Sequence, residues 1–147
     1  MKMKKIFAVA LATVMMLGAG LAVAGSYNKQ KVVYHVNYDN PKRQAGAMRN
    51  IQNHINAVGA ENLDLRIVMH GKGVSLLMKA KSDANFESKV VSLKSQNVAF
   101  KVCKNTLRGK KIDYKTDLFD VDESDIVPSG VAELAHLQDQ GYSYIRP

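Results

Sequence analysis

The chain cannot close an internal disulfide, because it holds a single cysteine, Cys103. It has no tryptophan and only three prolines. Neither a disulfide-stapled scaffold nor a proline-rich extended chain is therefore open to it. No Gly-x-Ser-x-Gly elbow occurs, which removes the strand–turn–helix nucleophile of the serine hydrolases. One cysteine and four dispersed histidines (His35, His54, His70 and His136) show no metal-ligand spacing. No metal and no other cofactor is expected. Basic residues are scattered, with Lys110-Lys111 beside Arg108 as the one cluster. Without a basic stripe interleaved with aromatics, nucleic acid is not an expected partner. Beyond the first two dozen residues no apolar run is long enough to cross a bilayer.

That first segment has the form of an export signal. Lys2, Lys4 and Lys5 precede an almost unbroken apolar run from Ile6 to Val23, and Ala22-Val23-Ala24 offers a small-x-small cleavage site. Residues 1–24 read as a signal peptide cut between Ala24 and Gly25, with no cysteine after the cut to accept a lipid. A membrane anchor is the alternative, and the cleavage site argues against it. The expected location is the periplasm, with no membrane contact after cleavage. Residues 25–147 remain, enough for one domain with its own core. The formal charge of +8, less three signal lysines, leaves a moderate +5.

Within that domain, patterns of period two and period 3.6 alternate. Lys31 to Asn37 is rich in β-branched and aromatic residues and reads as a strand. Asn40 then caps a helix that starts at Pro41, carries Met48, Ile51, Ile55 and Val58 on one face, and stops at Gly59. Leu63 to Met69 is a second strand, and Val74 to Lys79 a short helix. Asp83 caps a third helix with the stripe Phe86, Val90 and Leu93. Val98 to Val102 is the third strand, after which Asn105 can cap a short helix through Leu107.

Asp113, Asp117, Asp120, Asp122, Glu123 and Asp125 crowd one segment that reads as a solvated loop. Ile126-Val127 is a short fourth strand. Ser129 caps a helix carrying Val131, Leu134, Ala135 and Leu137, and Gly141 ends it. Tyr142 to Ile145 is a last strand, its tyrosines packing one face or serving an interface. This order predicts an α/β fold, a mostly parallel five-stranded sheet with helices on both faces.

Ligands of open α/β sheets sit at the carboxyl ends of the strands. Asn37 to Asn40, His70 to Gly73 and Cys103 to Thr106 fall there, and Pro128-Ser129-Gly130 can join them. Cys103 stands where a strand meets a helix, beside Lys101, Lys104 and Arg108. Free N–H groups and positive charge favour a thiolate there, while a buried cysteine would be an inert small hydrophobe. The turn His70-Gly71-Lys72-Gly73 could turn backbone N–H groups and Lys72 toward an anion, or be a plain tight turn. His70 could orient or deprotonate Cys103 if the two strands lie side by side.

Val32-Val33-Tyr34-His35-Val36, Val102-Cys103-Lys104-Asn105-Thr106-Leu107, and the ending from Ile126 through Pro128-Ser129-Gly130 to Gly141-Tyr142 and Tyr144-Ile145 resemble the DsrE/DsrF-like family. The resemblance covers the whole mature chain and is nearest to the small single-domain, YchN-like branch. It implies a flavodoxin-like three-layer sandwich that assembles into homo- or hetero-oligomers, often trimers or hexamers. It also implies sulfur handling, with sulfur held as a persulfide on a cysteine after the third strand, where Cys103 stands. Arg108-Gly109 resembles the residues that follow that cysteine. The family's relay members work in the cytoplasm, whereas this chain reads as exported.

The expected function is a periplasmic sulfur carrier, more a carrier than a turnover enzyme. Cys103 holds the sulfur, Lys104, Asn105 and His70 lie around it, and a thiol-bearing partner gives or takes the sulfur. Two other readings stay open: a non-catalytic oligomeric module binding a small anion or nucleotide-like ligand at the strand ends, and a cysteine redox sensor.

Overall fold

The computed structural model of the chain describes residues 27–147. The expected signal segment and its cleavage site lie outside the described residues. Among those described, no helix is long and apolar enough to cross a membrane.

Five strands form one parallel sheet in the order β4-β3-β2-β1-β5. They are β1 (Gln30–Val36), β2 (Leu63–Met69), β3 (Ala99–Cys103), β4 (Ile126–Val127) and β5 (Ser143–Ile145). The helices are α1 (Pro41–Val58), α2 (Ser75–Ala80), α3 (Ala84–Ser95), α4 (Lys104–Lys110), α5 (Tyr114–Asp117) and α6 (Gly130–Asp139). The α/β sandwich expected from the alternation of patterns is what forms.

Alternation along the strands divides the core in two. Val32, Tyr34 and Val36 of β1, Leu65, Ile67 and Met69 of β2, and Phe100 and Val102 of β3 face α1, α2 and α3 in the larger cluster. Val33 and Val68 face the other way, where Leu134 and Leu137 of α6 cover them together with Tyr142. The chain steps from β1 to β4 in one direction and then reverses to reach β5. Crossovers of a single hand put the helix of that return step, α6, on the opposite face.

Local chemistry sets the element ends. Asn40 Oδ1 accepts the Arg43 N–H at 2.9 Å, Pro41 opens α1, and Gly59 at φ 91° stops it. Asp83 Oδ1 accepts from Asn85 and Phe86, and Ser129 Oγ accepts from Ala132. Gln44, fully buried, donates to the Tyr38 carbonyl at 2.8 Å and to Ser75 Oγ at 2.9 Å, fastening α1 to the start of α2.

Four expectations need correction. The acidic segment is not a loose loop, because its carboxylates work as caps. Asp113 caps α5, while Asp122 and Asp125 cap each other's backbone across a 3₁₀ turn at Glu123–Asp125. Asp125 also pairs with Lys101 at 3.6 Å. On α6, Val131 and Ala135 are exposed, and the helix buries Gly130, Leu134 and Leu137 instead. Ahead of α2, Gly71–Val74 forms a 3₁₀ turn. Finally, β3 runs one residue further than expected, and Cys103, not Asn105, is the N-cap of α4. That last shift decides the geometry of the site.

Candidate functional site

Cys103 ends β3 with its backbone still extended (φ −72°, ψ 116°), and α4 begins at the next residue. A side chain at an N-cap faces the free N–H groups of the first helical turn. Here the side chain is a thiol. It is free and 5 % exposed. Burial pushes its pKa up, but the Thr106 hydroxyl and the backbone N–H groups of Gly130, Thr106 and Asn105, which surround the sulfur without closing a cap hydrogen bond, outweigh it. The net shift is below the ordinary thiol value. These donors come from the first turns of two helices, α4 and α6. The sulfur is thus buried without being placed as an inert hydrophobe. It sits where a thiolate is stabilised by oriented dipoles.

The strand register brings His70 beside it. Met69 pairs with Val102, so the next residues, His70 and Cys103, leave the sheet side by side. Gly130 packs between them. A Cβ there would stand 2.8 Å from His70 Cβ and 3.3 Å from Cys103 Cβ. Only a residue without a side chain allows this approach. His70 does not hydrogen-bond the thiol, however. Its Nε2 meets His35 Nε2 at 2.7 Å, with the ring planes 23° apart and the centroids 4.8 Å apart, so that the rings meet edge to edge. His35 Nδ1 in turn meets the Tyr144 hydroxyl at 2.6 Å. Burial, the neighbouring His70 and the charge of Arg146 hold His35 down to about 4. Burial and Arg146 also lower His70. Both rings are neutral at ordinary pH.

The turn after β2 braces the site. The Gly71 N–H donates to Thr106 Oγ1 at 2.8 Å, and the Gly73 N–H to the His70 carbonyl at 2.9 Å. Two of its N–H groups are thus already taken. Gly73 is where the turn presses on β1, since a Cβ there would lie 1.9 Å from the Val36 carbonyl oxygen. Lys72 is exposed. Lys104 and Asn105 are exposed as well. Asn105 reaches the sulfur only through its backbone, its side chain accepting from Arg108 at 3.2 Å. Lys104 and Arg108 line a cleft of about 650 Å³ with Leu107, Tyr114 and Pro128, on the β4 side of the cysteine.

The structure therefore joins Cys103 and His70, as the strand-end argument expects, and leaves Lys72 apart. Thr106 and Gly130 lie in the strand-end turns that sequence reasoning picked out, without a role assigned to them, whereas His35 and Tyr144 are site residues it did not single out. Period-two alternation in β1 does place His35 on the face opposite Val36. Its pairing with His70 needed the register of β1 on β2. Among the described residues no group of three or more histidine, cysteine or acidic side chains could hold a metal ion.

A model of the DsrE/DsrF-like family matches residues 30–147. No curated protein matches the chain. Among solved structures, a protein of unknown function from Methanobacterium thermoautotrophicum is 31 % identical. That match covers 80 % of this chain and 99 % of the other, with a TM-score of 0.69. The ychN protein from E. coli is 21 % identical over 80 % of this chain and 99 % of its own, with a TM-score of 0.64, which shows a shared fold.

Proposed function

We propose, from the premise that this chain belongs to the DsrE/DsrF-like family, that it carries sulfane sulfur as a persulfide on Cys103 and passes it on by thiol exchange. The observation that carries this reading is the sulfur's position. The sulfur ends β3 at the start of α4 and beside Gly130 at the start of α6, and the donor groups there bring the thiol pKa down in spite of burial. A structural cysteine needs no such donors, whereas a thiolate nucleophile and a persulfide anion both do. The small exposed fraction of the sulfur favours donors that present a terminal sulfur on a slender chain.

The same reading places the protein in the periplasm. Its support is the Lys2-Lys4-Lys5, apolar-run and Ala22-Val23-Ala24 pattern. It takes residues 25–147 as one domain, assembled into a homo-oligomer and served by a thiol-bearing donor or acceptor. Exposed Val131 on α6 is apolar surface on which such an assembly could draw. It is a carrier more than a turnover enzyme, because one thiol can hold one sulfur but cannot resolve it alone.

Intact-mass spectrometry of the mature protein, trapped with an alkylating agent, tests the proposal. The expected result is a gain of one sulfur atom on Cys103, lost on reduction and absent from Cys103→Ser. Loading that survives Cys103→Ser, or a thiol that resists alkylation until the protein unfolds, refutes it. A second reading, a small-anion module, is favoured by the cleft beside Lys104 and Arg108. It predicts anion binding that Cys103→Ala leaves intact and Arg108→Ala weakens.

A further inference from the structure

The hydrogen-bonded series Tyr144–His35–His70 crosses three adjacent strands, β5, β1 and β2, on the α6 face of the sheet and ends beside Cys103. We propose that it is a proton relay, in which His70 gives a proton to the thiolate that leaves when Cys103 accepts sulfur, and Tyr144 draws the replacement from solvent. The inference rests on the carrier reading above and deepens it by assigning the proton donor.

The chemistry of the series permits two proton orders. In one, the Tyr144 hydroxyl donates to His35 Nδ1, His35 Nε2–H donates to His70 Nε2, and His70 Nδ1 carries a free N–H. In the other, each bond runs the opposite way, His70 Nδ1 is a bare base, and the Tyr144 hydroxyl hydrogen faces water. Neutral imidazoles are required for both, since each ring must donate on one nitrogen and accept on the other. The surroundings enforce neutrality. Arg146, held by Asn37 at 3.1 Å, places positive charge near both rings. Among the described residues, the charged or titratable groups that bear on the two rings are Arg146, Tyr144 and the rings themselves. One end of the series, Tyr144, is exposed, and the middle, His35, is buried. A wire from solvent to an enclosed site has this arrangement. The Nδ1 of His70 has no hydrogen-bond partner among the described residues.

In the transfer step, the Cys103 thiolate attacks the outer sulfur of a low-molecular-mass persulfide, R–S–SH. A Cys103–sulfur bond forms as the donor's sulfur–sulfur bond breaks, leaving Cys103–S–SH and R–S⁻. The sulfane sulfur changes partner, and no net electrons move. His70 Nδ1–H then protonates R–S⁻ to R–SH. His35 hands its Nε2 proton to His70, Tyr144 hands its own to His35 Nδ1, and water restores Tyr144. The series ends in the second proton order, and the reverse transfer resets it. His70 meets the leaving group, while His35 and Tyr144 act through it as positioning residues.

The test is the single-turnover rate of Cys103 persulfidation by glutathione persulfide, followed by mass spectrometry from mildly acidic to mildly alkaline pH. Tyr144→Phe and His35→Gln should each slow loading by roughly a hundredfold, the lower end of general-acid contributions. The pH profile of Cys103 alkylation by iodoacetamide, which needs no protonated leaving thiol, should stay where it is in both variants. Variants that load at the wild-type rate overturn the relay alone. Loading and alkylation that slow together also overturn it, since the series would then only shape the thiol pocket. Wild-type protein that takes no sulfur overturns the carrier reading, and the relay with it.

Discussion

Gly71 donates its backbone N–H to the hydroxyl of Thr106 across 2.8 Å, and so ties the turn after β2 to the turn that carries Cys103. The same hydroxyl stands near the cysteine sulfur and helps to lower its pKa. One oxygen thus serves stability and reactivity together. Thr106→Val should show both losses. The Gly71 N–H loses its acceptor, a loss of about 1–2 kcal/mol in urea unfolding. The Cys103 thiol loses a donor, so the midpoint of its alkylation-against-pH curve should move to higher pH. A midpoint that does not move would show that the backbone donors alone set the thiol.

Gly130 supports a second expectation. Its N–H points at the sulfur, and its missing Cβ leaves room for His70 and Cys103 to flank it. In Gly130→Ala the new methyl meets His70 Cβ, an atom fixed to the backbone that cannot swing aside. The variant should lose roughly 1–3 kcal/mol by overpacking and also react more slowly at Cys103. Wild-type stability with wild-type alkylation would mean that the strand ends spread easily at this point.

Gly73 answers to a harder constraint. A methyl in Gly73→Ala would lie 1.9 Å from the Val36 carbonyl oxygen, a main-chain atom of β1, an inner strand. Either β1 shifts or the 3₁₀ turn lifts off it. A loss of about 3 kcal/mol or more is expected in thermal or denaturant unfolding. A much smaller loss would show that the turn is free to move away from β1. The tight turn is a structural need here.

Much of this fold is legible in the sequence because local signals agree with tertiary demands. Asn40-Pro41, Asp83 and Ser129 each cap the helix their residue type suggests. The stripes on α1 and α3 bury the residues whose spacing predicts it. Misreadings occur where a polar side chain has two uses. Asn105 is as good a cap by type as any residue, yet the strand runs on to Cys103 and moves the cap there. The carboxylates of Asp122 and Asp125 look like a solvated run, yet they satisfy one another's backbone. In the site, Cys103 and His70 are visible as strand-end residues. Thr106 and Gly130 fall in strand-end turns as well, but their part beside the sulfur does not show there; His35 and Tyr144 are not visible at all, because their roles depend on register between strands far apart in the chain. His35 and Tyr144, which share a hydrogen bond, are 109 residues apart.

The histidines also set how the protein responds to acid. His35 is buried among partners, and its pKa is lowered from 6.5 to about 4. In the unfolded chain it takes a proton near its ordinary value. Between these two points the unfolded state binds the proton and the folded state does not. Acidification therefore favours unfolding, and stability present above the unfolded value is lost as pH falls toward the folded one. The shift corresponds to at most about 3 kcal/mol. His70 and His54 are lowered too, and they act in the same direction. Urea unfolding measured between pH 7 and about pH 4.5 should show a falling midpoint. In His35→Gln the fall should be shallower, because glutamine can bridge Tyr144 and His70 without titrating. A wild-type midpoint that holds constant across that range would mean the two rings accept a shared proton in the folded state. The relay would then start from a charged pair instead of a neutral one.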